Sequence, residues 1–266
     1  MRNELKNARR IVIKIGTSTL LYDNGTVNLR LIDELAFTIT NLMNEGVEVI
    51  LVTSGAIGVA MGQLRLKTRP REVERQQALA AIGQAELMNI YKQRFNAYTQ
   101  HVAQVLLTRD VVDYETSREN VSNTLNALLD LGVLAIINEN DTVSIDELDH
   151  NTAFGDNDTL SVIVSIVANA DLLIILSDVD GFYDKNPGDF ADAKKYDKIT
   201  EITPELLNQA GGAGTNVGTG GMLSKLTAAE TLLKNDGKLV IALGEDPKII
   251  NEILSGENVG TLFAKG

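Results

Sequence analysis

Two lysines, a set of carboxylates and several glycine-bearing turns are the residues of this chain that could do chemistry. The most pointed stretch is Gly218-Thr219-Gly220-Gly221, which runs into a helical pattern with Met222, Leu226, Ala229 and Leu232/Leu233 three or four residues apart. A glycine-rich turn ahead of a helix presents free backbone N–H groups and the positive end of the helix dipole. Leu223, Ser224 and Lys225 fall in the first turns, and Lys225 adds a mobile positive charge. Helix starts favour acidic residues, so a lysine there runs against propensity, and an anionic ligand would offset it. Two readings stay open for this stretch, a phosphate site and an ordinary tight loop. It is not a P-loop, because Lys225 is followed by Leu226 and lies four residues past the last glycine.

Lys14 is the second lysine, alone in the β-branched run Arg10–Ile15, which ends at Gly16-Thr17-Ser18-Thr19. A lone lysine in a buried parallel strand is costly unless its ammonium finds a partner or water. It is either a solvated residue on an edge strand or a ligand group near the strand's carboxyl end, where α/β sheets bind ligands. Other strand patterns end in similar junctions. Residues 47–52 run into Thr53-Ser54-Gly55-Ala56-Ile57-Gly58, either a strand–helix turn or a loop around a polar ligand. Residues 134–137 run into Asn138-Glu139-Asn140-Asp141-Thr142, where Asp141 can cap the next element and Glu139 can be a surface residue. Phe154-Gly155-Asp156-Asn157-Asp158 leads into an apolar helix at 159–168, and an aspartate there is also a plain cap. Ser177-Asp178-Val179-Asp180-Gly181 follows the strand 171–176 and lacks the calcium-loop pattern.

The elements that must position these residues follow from hydrophobic period. Helices are expected at 29–44, 75–95, 115–131, 204–209 and 249–254, and further strands at 101–107, 238–242 and 259–263. Gly83 sits inside the 75–95 helix at a cost of about 1 kcal/mol against alanine, which close helix packing would explain. Residues 184–198 are polar and read as a surface excursion. The order is mostly strand–helix–strand, with crossovers long enough for helices, so a largely parallel sheet covered on both faces is expected. The glycine-bearing loops at 16–19, 53–58, 138–142 and 177–181 would then gather at one edge of it. There is no G-x-G-x-x-G after the first strand and no G-x-S-x-G elbow. Lysines, carboxylates, hydroxyls and glycines suit phosphoryl transfer, which needs positive charge and oriented N–H groups.

Composition removes other classes. The 266 residues include no cysteine and two histidines, which excludes disulfides, thiol catalysis and a histidine-based metal centre. A formal charge of −12 disfavours non-specific nucleic-acid binding. The N-terminus lacks the apolar stretch of a signal peptide, and no apolar run reaches transmembrane length. Cytoplasmic residence, with neither membrane nor nucleic acid as partner, is the expectation.

Taken in order, Lys14-Ile-Gly-Thr-Ser18, Thr53-Ser-Gly-Ala-Ile-Gly58, Ile137-Asn-Glu-Asn-Asp141, Phe154-Gly-Asp-Asn-Asp158, Ser177-Asp178, Gly181-Phe-Tyr183 and Gly218-Thr-Gly-Gly-Met222 with Lys225 resemble the amino acid kinase family. Within it the chain is most similar to the branch that phosphorylates the γ-carboxylate of free L-glutamate, the first step of proline synthesis. The resemblance implies a three-layer αβα sandwich around an eight-stranded, mainly parallel sheet. It implies one kinase domain over 1–266, glutamate-binding in its N-terminal part and ATP-binding from about residue 170, without the C-terminal PUA domain of many relatives. Lys14 and Lys225 match the lysines that neutralise the transferring phosphoryl group, and Asp158 the carboxylate that holds both. Ser54, Gly55, Asp141 and Asn157 match the glutamate contacts, with Asp141 meeting the α-ammonium. Lys14, Gly16, Ser177, Asp178, Thr219, Gly220, Gly221, Met222, Leu223, Ser224 and Lys225 match the ATP contacts. Mg2+ is implied through the ATP phosphates, with no permanent metal site. Where some relatives carry threonine and a basic residue, the nucleotide turn reads Ser177-Asp178-Val179-Asp180. A homodimer or homotetramer is expected, with the 75–95 and 115–131 helices as its candidate surface, and L-proline as a feedback inhibitor. Other acceptors in the same family are N-acetylglutamate, aspartate, carbamate and nucleoside monophosphates. A non-catalytic nucleotide sensor is the reading from another class.

Overall fold

Strand runs without polar alternation need cover on both faces, and the computed structural model, which describes residues 2–108, 110–143, 157–210 and 221–266, provides it. The strands are β1 Arg10–Ile15, β2 Glu48–Thr53, β3 Val102–Leu107, β4 Leu134–Glu139, β5 Leu172–Ser177, β6 Lys198–Ile199, β7 Leu239–Leu243 and β8 Thr261–Phe263. They form one eight-stranded sheet in the order β3-β4-β2-β1-β5-β7-β8-β6. Pairing is parallel throughout except between β7 and β8. The chain thus has the mainly parallel sheet expected of it. β1 lies between β2 and β5, so the edge-strand reading of Lys14 is wrong.

Two helical layers cover the sheet. On one face are α1 (Thr17–Leu20), α2 (Leu29–Asn44), α3 (Ala56–Gln63), α4 (Val73–Asn96) and α10 (Ile249–Leu254). On the other are α5 (Asp110–Asp113), α6 (Glu115–Asp130), α7 (Asn157–Val167) and α9 (Met222–Lys234). A further short helix, α8, spans Pro204–Ala210. α2 shows how the sequence builds such a layer. The Asn28 side chain accepts the Leu31 N–H and caps the helix. Leu31, Ile32, Leu35, Ile39 and Leu42 then form its buried stripe.

Strand alternation sorts the strand-end polar residues between the two layers. Ile11, Ile13 and Ile15 enter the core under α2 and α4, whereas Val12 enters the core under α7 and α9. Lys14 shares the parity of Val12 and so faces α7 and α9. In β2, Val49 and Leu51 belong to the α4 side, and Thr53 continues that row. In β4, Leu134 and Ile136 do the same, and Asn138 continues theirs.

The differences from the sequence expectation have local causes. α1 and α3 stand where loops were expected after β1 and β2. The glycines of α3 are there for close packing: a Cβ on Gly58 would fall 2.4 Å from Leu21 Cδ1, and one on Gly62 2.4 Å from the Gly25 carbonyl oxygen. β4 runs two residues past its apolar part and takes in Asn138 and Glu139, both only 3% exposed, so Glu139 is not a surface residue. The polar excursion after β5 ends in β6. Gly83 of α4 meets the packing expectation, since a Cβ there would lie 1.7 Å from the Ala56 carbonyl oxygen. Among the described residues, no helix is long and apolar enough to cross a membrane.

Candidate active site

Parallel strands bring the carboxyl ends of β1, β2, β4 and β5 to one edge, and the N-termini of α7 and α9 meet them there. Asp158 lies in the first turn of α7 and is 0% exposed. Lys14, penultimate in β1, sets its Nζ 2.6 Å from Asp158 Oδ1. Lys225, one turn into α9, sets its Nζ 3.2 Å from Oδ2. The Ser224 hydroxyl also donates to Oδ2, at 3.1 Å. Lys14 and Lys225 are 6% and 8% exposed, so two ammonium groups and one carboxylate are held together almost out of water. Burial pushes the Asp158 carboxyl up, but the attraction and hydrogen bonds of Lys14 and Lys225 outweigh it and hold the group below the usual carboxylate range. Asp158 is therefore a fixed anion that orients two cations from distant parts of the chain.

Gly16 caps α1 directly after β1, and a Cβ on it would stand 3.4 Å from Lys14 Nζ. The bare backbone at this point leaves the ammonium approachable. Gly221 caps α9 in an extended conformation, with Met222 and Ser224 half-buried and Leu223 exposed behind it. Ser177 ends β5, is buried, and donates to Asp178 Oδ1 at 3.0 Å, whereas the rest of Asp178 is exposed. Thr219 and Gly220 lie outside the described residues.

A second cluster sits beside the first, at the start of α7. Asn157 Nδ2 donates to Ser54 Oγ at 2.8 Å, to Asn138 Oδ1 at 3.0 Å and to the Thr53 carbonyl. Gly55 follows Ser54 with φ 95°, a left-handed conformation that glycine adopts without strain and that starts α3. Asp141 stands two residues past β4, half-buried. The residues it would cap, from 144 onward, lie outside the described part. The structure thus brings Ser54, Gly55 and Asn157 together, next to the Lys14–Asp158–Lys225 group. Sequence reasoning placed Thr53 and Asn138 in strand-end loops without giving them a role and missed Gln84 and Tyr91; the polar groups of all four tie this cluster to α4. The alternation of β2 and β4 was the available signal, because it places Thr53 and Asn138 on the α4 side.

The arrangement can bind an anion between two lysines and a small polar molecule beside it. Its likeness to known proteins is specific. The profile described as the amino acid kinase family matches residues 9–242. A glutamate 5-kinase of Enterococcus faecalis is 57% identical over 266 residues, covering 100% of this chain and 98% of that protein. One from Lactococcus lactis is 56% identical over 262 residues, covering 98% of this chain and 97% of its own. Among solved structures, a UMP kinase from Bacillus anthracis matches with TM-score 0.64 and 18% identity, covering 97% of this chain and 96% of that one. A UMP kinase from Ureaplasma parvum matches with TM-score 0.65 and 16% identity, over 97% of this chain and 100% of its own. At those identities the shared property is the fold.

Proposed function

The chain belongs to the amino acid kinase family, and from that premise we infer that it transfers the γ-phosphoryl group of ATP to the γ-carboxylate of L-glutamate. The product is L-glutamyl 5-phosphate, and the reaction is the first step of proline biosynthesis. The observation that carries the reading is the sharing of Asp158 by Lys14 and Lys225 at the sheet edge. A γ-carboxylate oxygen attacks the γ-phosphorus in line, the P–O bond to ADP breaks, and negative charge spreads over the phosphoryl and bridging oxygens. Two ammonium groups already oriented by Asp158 stabilise that spread more than they stabilise the ground state. Mg2+ enters as part of the Mg-ATP substrate.

Ser54, Gly55, Asn157 and Asp141 are the proposed glutamate contacts, with Asp141 matching the α-ammonium by charge. Gly16, Ser177, Asp178 and residues 219–225 are the proposed nucleotide contacts. In this division one kinase domain holds glutamate in its N-terminal part and ATP from about residue 170 onward. The sequence identity to glutamate 5-kinases, over nearly all of both chains, favours glutamate above the other acceptors of the family. ADP release is measured with free glutamate, N-acetylglutamate, aspartate and uridine monophosphate, and hydroxylamine is added to trap the acyl phosphate. Glutamate should give ADP and a γ-hydroxamate. Turnover of another acceptor without glutamate activity would reverse the assignment, and recovery of a phosphorylated enzyme would exclude direct transfer.

Three further parts of the reading concern the protein's setting. Cytoplasmic residence suits a chain whose substrates are both metabolites of that compartment. A homodimer or homotetramer is proposed, and a monomer in light scattering at assay concentration would contradict it. L-proline, which resembles a cyclised glutamate, is proposed as a feedback inhibitor. An unchanged rate at saturating proline would remove that idea.

A further inference from the structure

Helix α4 packs Leu87 and Phe95 into the core, yet it also buries two polar side chains, Gln84 at 8% exposure and Tyr91 at 0%. Seven residues separate them, so they lie about two turns apart on one side of the helix. Each reaches the carboxyl end of a strand. The Tyr91 hydroxyl is 2.8 Å from Thr53 Oγ1, at the last residue of β2. Gln84 Oε1 accepts from Asn138 Nδ2 at 2.8 Å, near the end of β4. Asn157 then joins the two strand ends, donating to the Thr53 carbonyl and to Asn138 Oδ1, and reaches Ser54 Oγ as well.

Backbone groups fix which way these amides face. The Thr53 carbonyl can only accept, so the Asn157 side chain must present its NH2. The Glu139 N–H donates to Asn138 Oδ1 at 2.9 Å, so the Asn138 NH2 points away, at Gln84. Gln84 supplies the acceptor that this buried NH2 requires. Without it, this NH2 is left buried without its acceptor, and the Asn138 amide is held only from its oxygen side, by the Glu139 N–H and Asn157. Gln84 reaches this place because Gly83 lets α4 approach the Ala56 carbonyl. Its own Nε2 is buried and has no hydrogen-bond partner among the described residues. A helix tolerating a half-satisfied buried amide is a poor stability solution.

We propose that Gln84 is a positioning residue for the acceptor pocket, acting through Asn138 to hold the Asn157 amide against Ser54. It rests on the reading of Ser54 and Asn157 as acceptor contacts. Gln84 touches neither lysine in the described contacts, so it sets affinity for the acceptor while leaving affinity for ATP alone.

The test uses the full chain with Gln84→Met, which keeps similar volume and loses both polar ends, and Gln84→Asn, which keeps the amide but withdraws it by one methylene. KM for glutamate, KM for ATP, kcat and thermal midpoint are measured for each. Both variants should raise the glutamate KM by about tenfold, with the ATP KM changed less than about twofold. A second arm measures glutamate binding by calorimetry in the Asn157→Ala background, where Gln84→Met should have less than a twofold effect. A fall in thermal midpoint with an unchanged glutamate KM would overturn the proposal. So would parallel loss in both KM values and kcat, which is what a merely structural residue gives. If the wild-type protein turns over a different acceptor, the function above fails, and the same split is read on that acceptor.

Discussion

At the residue scale, the decisive question is how much each charged group contributes in the transition state. Lys225→Met keeps chain length and removes charge. A single preorganised group of this kind is worth about 3–4 kcal/mol, or roughly 10²–10³ in kcat. The expected result is a fall of that size, with the nucleotide Kd changed less than about tenfold. Near-normal kcat would make Lys225 a bystander, and a collapse of ATP affinity at unchanged kcat would make it a ground-state anchor. Asp158 gives a different readout. Its folded carboxyl lies below the usual range, so it contributes stability that is present above the unfolded value of about 3.9 and is lost as pH falls through the folded one. Thermal midpoints of the wild type should therefore drop below about pH 4, while Asp158→Asn, lacking that titration, should show a shallower acid slope. Equal slopes would remove Asp158 from the acid response. Asp158→Asn should also cut kcat, because both ammonium groups lose their shared orienter.

At the element scale, the sharpest test is Gly83→Ala. Alanine gains about 1 kcal/mol of helix propensity, but its Cβ would stand 1.7 Å from the Ala56 carbonyl oxygen and 2.9 Å from the Ala60 nitrogen. Helices α3 and α4 must then separate, at a typical overpacking cost of about 1–3 kcal/mol or more. Calorimetry should show the thermal midpoint lowered by roughly 2–10 °C, whereas a raised midpoint would mean that propensity outweighs the clash. The same glycine shows what the sequence made legible. β1, α2 and α10 have the residues expected of them. α3 was hidden by glycines that serve packing, and the last two residues of β4 by being polar. Lys14, Asp158 and Lys225 could be singled out one by one, yet periodicity says nothing about contacts between residues so far apart. Their grouping was legible only through family resemblance. Gln84 and Tyr91 were not legible at all, since a polar side chain on a long helix looks the same whether it meets water or a buried amide.

At the scale of the whole molecule, the sheet order separates neighbours in space from neighbours in the chain. β1 has β2 on one side, some three dozen residues later, and β5 on the other, some 160 residues later. The ribosome makes these segments one after another, at about 5–20 residues per second. One side of β1 therefore waits about 10–30 s for its partner, at those rates. During that wait its unpaired N–H and C=O groups are an open template for strands of other chains. Ribosome-bound chains stopped before β5 should be more readily digested and more prone to associate than chains stopped after β7, and equal behaviour of the two would count against this. A central strand that is stable in the finished sheet is thus the most exposed one while the protein is being born, and the speed of translation decides how long that exposure lasts.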